Sequence, residues 1–388
     1  MTRADQDQRA AIRRLAGYYL FLFAYLGVYL PWLPPLLQSR GFTPALIGTA
    51  LGVVQLVRSL LSPALGWGAD RLPTKHLLLG GSSIVAGLVL FALAGPWSPG
   101  AILLLLALHG IFLAPLFPLA EMLTLGTLGS DSPRYGRIRL WGSIGFLVTS
   151  LGLAIGGGRG GVDPDLVPFA LGAPLVLGGL LVLRVRTSAA DGGPSPADDP
   201  RPMPWLALGA VYVAAALGQG SHGPYYAFFT IQMQEAGVSD LAIGALWAWG
   251  VLAEVGLMWA SRWIVPALGL DWGFRLALGL GALRWALYAL EPPLAVLAVG
   301  QTLHAGSFAL LHVTSVQWVD RLTPPSRKVL GQSLLSASVY GAGVGGGMFV
   351  AGELLGFVGH AGLYAVATAA AVAGIAASLP AGRRRANA

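Results

Sequence analysis

The chain has 388 residues, 55% of them hydrophobic and only 11% charged, with 24 Lys and Arg against 17 Asp and Glu and a mean hydropathy of +0.68. So few charges cannot clothe a soluble globule of this size, which excludes that class, and the zero cysteine count excludes disulfides and thiolate metal sites. Apolar runs of about 20 residues recur throughout; in lipid only a helix satisfies its own backbone within one segment, so the expectation is an all-α membrane protein.

In chain order, Met1 to Arg14 mixes Asp5 and Asp7 with four arginines, and the apolar run that follows has no small-residue cleavage site. It reads as a first span rather than a signal peptide. Hydropathy places twelve spans near 15–37, 44–66, 76–95, 100–126, 138–157, 166–184, 205–234, 240–261, 272–290, 294–319, 329–352 and 360–380. Residues 187–204 have the Pro/Gly/Asp/Ser composition of a flexible linker and divide a six-helix half, 1–186, from a second, 205–388. With the N-terminus cytoplasmic, twenty of the twenty-four Lys and Arg gather on the cytoplasmic side, while Arg40 and Arg159 fall outside. This bias predicts cytoplasmic N- and C-termini, and it makes the basic character a matter of topology rather than of nucleic-acid binding.

The frame Gly41-Phe-Thr-Pro-Ala-Leu-Ile-Gly48 returns 196 residues later as Gly237-Val-Ser-Asp-Leu-Ala-Ile-Gly244. Ten residues past each closing glycine stands an ionisable side chain, Arg58 in the first copy and Glu254 in the second. Leu108-His109-Gly110 likewise answers Leu303-His304-Ala305. At ~1.5 Å rise per residue, Arg58 lies ~12 Å and Arg284 ~18 Å from the cytoplasmic ends of spans 2 and 9. A charge at that depth is costly unless it is paired or faces a wet cavity, so each is a candidate functional residue. Parallel six-span repeats place a substrate site between the halves near the midplane.

The loop after span 2, Gly66-Trp-Gly-Ala-Asp70-Arg71-Leu-Pro-Thr-Lys75, resembles the Gly-x-x-x-Asp-Arg-x-Gly-Arg-Lys signature of the major facilitator superfamily, with Pro73 and Thr74 departing from it. Asp70 and Arg71 are the expected conformational latch. Span 5 opens with Tyr135-Gly-Arg137-Ile-Arg139-Leu-Trp141-Gly-Ser143, which resembles the lactose-permease-like branch and, more closely, the bacterial 3-phenylpropionic acid transporter family. Gln219-Gly-Ser-His222-Gly-Pro-Tyr225-Tyr226, Leu246 to Glu254, Arg284-Trp285 and Leu303 to Phe308 carry the same resemblance along nearly the whole chain. It implies that Glu121 pairs with Arg139 at the substrate site, the alternative being a structural ion pair, and that Glu254, Arg284 and His304 couple transport to protons. Lactose-permease-like proteins carry a proton-releasing glutamate three residues after the histidine, where this chain has Ser307.

Arg58 matches an arginine of the phenylpropionate family and suits a carboxylate through its planar fork. His222, with Gly223 and Pro224, interrupts span 7 in the way tolerated where a segment lines a cavity, and Tyr225, Tyr226 and Tyr25 supply an aromatic lining. His109 reads as a hydrogen-bonded packing residue. The sequence contains no His-Glu-x-x-His and no Gly-x-Ser-x-Gly, which argues against an enzyme, and the reading calls for no cofactor and no metal. The resemblance implies a monomeric symporter of the bacterial inner membrane, with protons, the lipid bilayer and a small aromatic acid as partners. A proton-coupled sugar or nucleoside permease is the alternative.

Overall fold

The structure is a computed structural model that describes residues 3–70, 74–129, 135–185 and 202–382. Arg71, the side chain of Asp70 and most of the 187–204 linker lie outside the described residues. The described chain is helical, with no strand among those residues. Its helices are, in order, α1 (Arg3–Ser39), α2 (Pro44–Asp70), α3 (Lys75–Ala92), α4 (Pro99–Leu113), α5 (Leu116–Leu128), α6 (Tyr135–Gly157), α7 (Val167–Val182), α8 (Trp205–Gly220), α9 (Gly223–Glu235), α10 (Asp240–Leu268), α11 (Leu270–Ala289), α12 (Leu294–His304), α13 (Leu311–Leu322), α14 (Lys328–Ser336) and α15 (Gly346–Gly382). Two π-helical segments, Ala305–Leu310 and Ala337–Gly345, join α12 to α13 and α14 to α15.

Nine described helical stretches are long and apolar enough to cross a membrane, and the last, Pro325–Leu379, runs to 55 residues. At ~1.5 Å per residue that stretch far exceeds the ~30 Å of hydrocarbon, and it turns at Gly359, whose φ is 66°. The pair α8–α9, broken at Ser221 and His222, and α11, which carries Asp271, Arg275 and Arg284, fall outside that measure. With them included, the architecture fits the twelve spans expected.

Both copies of the repeated frame fold as the same corner. Gly41 and Gly237 take φ of 79° and 75°, a left-handed conformation that only glycine adopts cheaply. The amide of Phe42 reaches back to the carbonyl of Leu37 at 3.1 Å and that of Val238 to Met233 at 2.9 Å, the six-to-one closure that ends a helix. Two residues further on, Thr43 and Ser239 start the next helix. Their hydroxyls accept from the amides of Leu46 and Ala242, both at 3.4 Å, a long capping contact.

By packing, the chain forms two compact units. One comprises Met1–Phe42, Val57–Gly193 and Met233–Ala248, and the other Thr43–Leu56, Pro194–Gln232 and Trp249–Ala388. Relative to the sequence halves, the first parts of α2 and α10 are exchanged. The closing glycines of the repeated frame show how. A Cβ on Gly48 would lie 2.5 Å from the Met348 carbonyl oxygen and 2.8 Å from Gly352, and one on Gly244 would lie 2.8 Å from the Ser150 carbonyl oxygen. Only glycine permits helix backbones to approach that closely.

In the first unit α1 packs on α6 and α7, and α3 packs on α7 and α4. Leu15, Leu22, Leu79, Leu106, Leu171 and Leu175 are fully buried there. In the second, α8 and α11 both pack on α15, around a core that includes Leu208, Phe274, Leu278, Leu311 and Trp318.

Candidate functional site

The first unit gathers polar groups along one face of α1. Tyr25 and Tyr29 are one turn apart, with ring centroids 5.3 Å apart, and His109 of α4 lies beside both, at 5.4 Å from Tyr25 and 6.4 Å from Tyr29. His109 is completely buried. Its Nδ1 lies 3.2 Å from the Ala86 carbonyl oxygen of α3 and its Nε2 lies 2.8 Å from the Tyr25 hydroxyl. A carbonyl can only accept, so Nδ1 carries the hydrogen, Nε2 accepts, and Tyr25 donates. The hydrogen of Tyr25 is therefore already committed within the protein.

Arg58 is partly buried on α2, with its guanidinium 5.3 Å above the ring of Phe117. Both the Tyr25 and Tyr29 hydroxyls lie within its electrostatic reach. Arg139 of α6 sits over Phe23, 3.8 Å from the ring centroid, and 6.0 Å from that of Tyr19. Glu121 of α5 feels the charge of Arg139, but no ion pair within 4.0 Å joins them among the described residues. Arg139 thus rests on aromatic faces rather than in a direct ion pair with Glu121.

The second unit is organised around Arg284, which is wholly buried on α11. One guanidinium nitrogen donates to His304 Nδ1 at 2.9 Å and another to Gln301 Oε1 at 3.0 Å. Gln301 and His304 are three residues apart on α12, so one helix face presents both acceptors. The rings of Trp285 and Tyr225 lie 4.3 and 4.4 Å from the guanidinium carbon, and that of Tyr288 5.4 Å from it. Cation–π contact offsets part of the desolvation of the charge. Arginine never accepts a hydrogen bond, so Nδ1 of His304 presents its lone pair and the ring hydrogen sits on Nε2. That nitrogen faces Glu254 of α10, whose carboxylate oxygen is 4.0 Å away. His304 thus stands between the arginine and the glutamate.

His222, at the α8–α9 break, is buried with both nitrogens engaged, 3.1 Å from the Gly218 carbonyl and 3.3 Å from the Ser307 hydroxyl. Its ring is 5.6 Å from that of His304 and stacks against Tyr226 at 5.7 Å. Tyr225 donates to Gln301 Oε1 at 3.2 Å. Gln301 thus joins Tyr225 to Arg284. It escaped the sequence reading, although a glutamine one turn before His304 within an apolar span was a visible signal. Ser221, which accepts from the Trp285 indole at 2.8 Å, escaped as well.

Residues 12–169 and 207–366 match the MFS_1 like family. The chain is 30% identical over 353 residues to a probable 3-phenylpropionic acid transporter of Escherichia coli (strain K12), covering 89% of this chain and 91% of that one. It is 27% identical to the maltose permease of Geobacillus stearothermophilus over 87% of this chain and 86% of the other. Among solved structures, the nucleoside transporter NupG superposes with a TM-score of 0.79 at 15% identity, covering 96% of this chain and 98% of that chain. The human organic anion transporter MFSD10 superposes with a TM-score of 0.65 at 18% identity, over 96% and 99%. These likenesses at low identity speak for the fold. Together with the apolar helices, the family match establishes a multi-pass membrane protein that binds a small molecule, and the chain belongs to the MFS_1 like family of major facilitator transporters.

Proposed function

We propose that this protein is a secondary active transporter that moves a small organic acid with an aromatic body across a bacterial inner membrane. It works as a monomer, in symport with protons and by alternating access, with both termini cytoplasmic. The observation that carries the reading is Arg58, a partly buried guanidinium on a membrane-spanning helix, lying over Phe117 and within reach of two phenols. Such a group suits a carboxylate joined to an aromatic ring, and the 30% identical relative is named for such an acid. Glu121 and Arg139, beside Phe23 and Tyr19, are assigned to the same substrate side, with Tyr25. His222, Tyr225 and Tyr226 are assigned to substrate through their rings, because the polar atoms of His222 already have partners.

The coupling role falls to Glu254, His304 and Arg284. While Glu254 is ionised, the Nε2 hydrogen of His304 faces a carboxylate and the buried charge of Arg284 has an anion behind it. A proton on Glu254 removes that anion, and the three helices α10, α11 and α12 then favour a different packing. Protonation and substrate must bias the same equilibrium for coupling to occur. Asp70 and Arg71 remain assigned as the latch between states.

A proton-coupled sugar or nucleoside permease is the second reading, favoured by the 27% identity to a maltose permease. Uptake by the purified protein in vesicles decides between them, using radiolabelled aromatic acids, sugars and nucleosides with and without an inward proton gradient. Accumulation of an acid driven by the gradient supports the proposal. Accumulation of neutral solutes alone supports the second reading, and accumulation of none refutes both.

A further inference from the structure

Tyr25 and Tyr29 stand one turn apart on α1 and are 0% and 2% exposed, yet their hydroxyls are placed differently. Tyr25 spends its one hydrogen on His109 Nε2 at 2.8 Å, and that arrangement is fixed because His109 Nδ1 must donate to the Ala86 carbonyl. Only lone pairs of Tyr25 remain, and lone pairs repel a carboxylate. Among the described residues the buried hydroxyl of Tyr29 has no hydrogen-bond partner, and neither has the indole N–H of Trp32, three residues on. Residues 25, 29 and 32 share an arc of about 60° on an α-helix. A buried donor without an acceptor is costly, and most such donors in folded proteins are satisfied. Two such donors on one helix face, with the Arg58 guanidinium in electrostatic reach of the first, suit an acceptor that carries negative charge.

We propose that the Tyr29 hydroxyl is a substrate-binding donor that, together with Arg58, holds the carboxylate of the transported acid. His109 is a positioning residue that keeps the Tyr25 hydrogen turned away from that carboxylate. This rests on the organic-acid reading above and adds the group that distinguishes an acid from a neutral ligand of the same shape.

The test is equilibrium binding of radiolabelled 3-phenylpropionate and of its neutral counterpart 3-phenylpropanol to the purified protein. It compares the wild type with Tyr29→Phe and Tyr25→Phe, each checked by its melting temperature. Tyr29→Phe should weaken binding of the acid about tenfold, the worth of a hydrogen bond to a charged group, and leave binding of the alcohol unchanged. Its melting temperature should not fall, because an unpartnered hydroxyl contributes nothing to the fold. Tyr25→Phe should lower the melting temperature, since it strips His109 Nε2 of its donor. Undiminished binding of the acid by Tyr29→Phe overturns the role of this tyrosine alone, as does an equal loss for acid and alcohol. A wild-type protein that binds no acid overturns the organic-acid reading and this inference with it.

Discussion

Gln301 offers a sharp test of the account of the buried arginine. Its Oε1 accepts from Arg284 at 3.0 Å and from Tyr225 at 3.2 Å, and all three residues are essentially inaccessible to solvent. Gln301→Leu keeps the approximate volume but removes an acceptor that both donors share. A hydrogen bond from a charged donor is worth about 1.5–3 kcal/mol, and one at 3.2 Å from a phenol lies at the weak end of about 0.5–1.5 kcal/mol. Leaving the guanidinium nitrogen buried and unsatisfied adds to the cost, so the expected loss is about 3–4 kcal/mol, or a fall of roughly 4–5 °C in apparent Tm for a chain of this size. Gln301→Glu should act in the opposite direction. It places a carboxylate against a buried guanidinium that makes no ion pair among the described residues, and it replaces an amide Nε2 that has no partner among them. Stability should hold or rise, while coupled transport falls because Arg284 is held to a fixed anion. Thermal unfolding of the detergent-purified variants, paired with vesicle uptake, measures both. A Gln301→Leu protein as stable as the wild type, or a Gln301→Glu protein that is less stable yet fully coupled, would refute the reasoning.

Three further outcomes follow from the same geometry. Glu254→Gln should retain exchange of substrate down its gradient but lose accumulation driven by a proton gradient; an unchanged dependence of uphill uptake on pH removes Glu254 from coupling. In a double-mutant cycle of Tyr25→Phe and His109→Leu, the melting data should give a coupling of about 1 kcal/mol, and strict additivity would show that the 2.8 Å contact contributes nothing. Gly48→Ala should cost about 1–3 kcal/mol, because its Cβ meets the Met348 carbonyl at 2.5 Å, whereas Gly126→Ala, with no atom within 4 Å, should be neutral or stabilising. Equal melting temperatures for the two would contradict the close approach of α2 to α15.

The architecture was legible in the sequence for a simple physical reason. Lipid demands about 20 apolar residues per helix, and runs of that length recur along the chain. The repeated frame recurs in the fold as well: Gly41 and Gly237 both end helices, and Thr43 and Ser239 both start the next, a role that the repetition alone did not assign. Legibility ended where function depends on which helices touch. Arg284 and His304 were expected in one group and are in contact, but His304 intervenes between Arg284 and Glu254, an order that spacing along α10, α11 and α12 cannot reveal. Sequence likewise cannot tell Tyr25 from Tyr29. Both are tyrosines on one face, and only the depth of His109 and the carbonyl of Ala86 decide which phenol is satisfied. Glycines within α6 are no more distinguishable in the sequence: Gly145 packs on the backbone of Leu20, whereas Gly152 and Gly156 have no atom within 4 Å of a built Cβ.

The central claim, that Arg58 receives a carboxylate, is tested most directly by Arg58→Gln. Binding of 3-phenylpropionate and of the neutral 3-phenylpropanol would be measured on wild-type and variant protein under identical conditions. The account predicts a loss of at least tenfold in affinity for the acid, with affinity for the alcohol preserved. Equal loss for both ligands, or no loss for the acid, would contradict it.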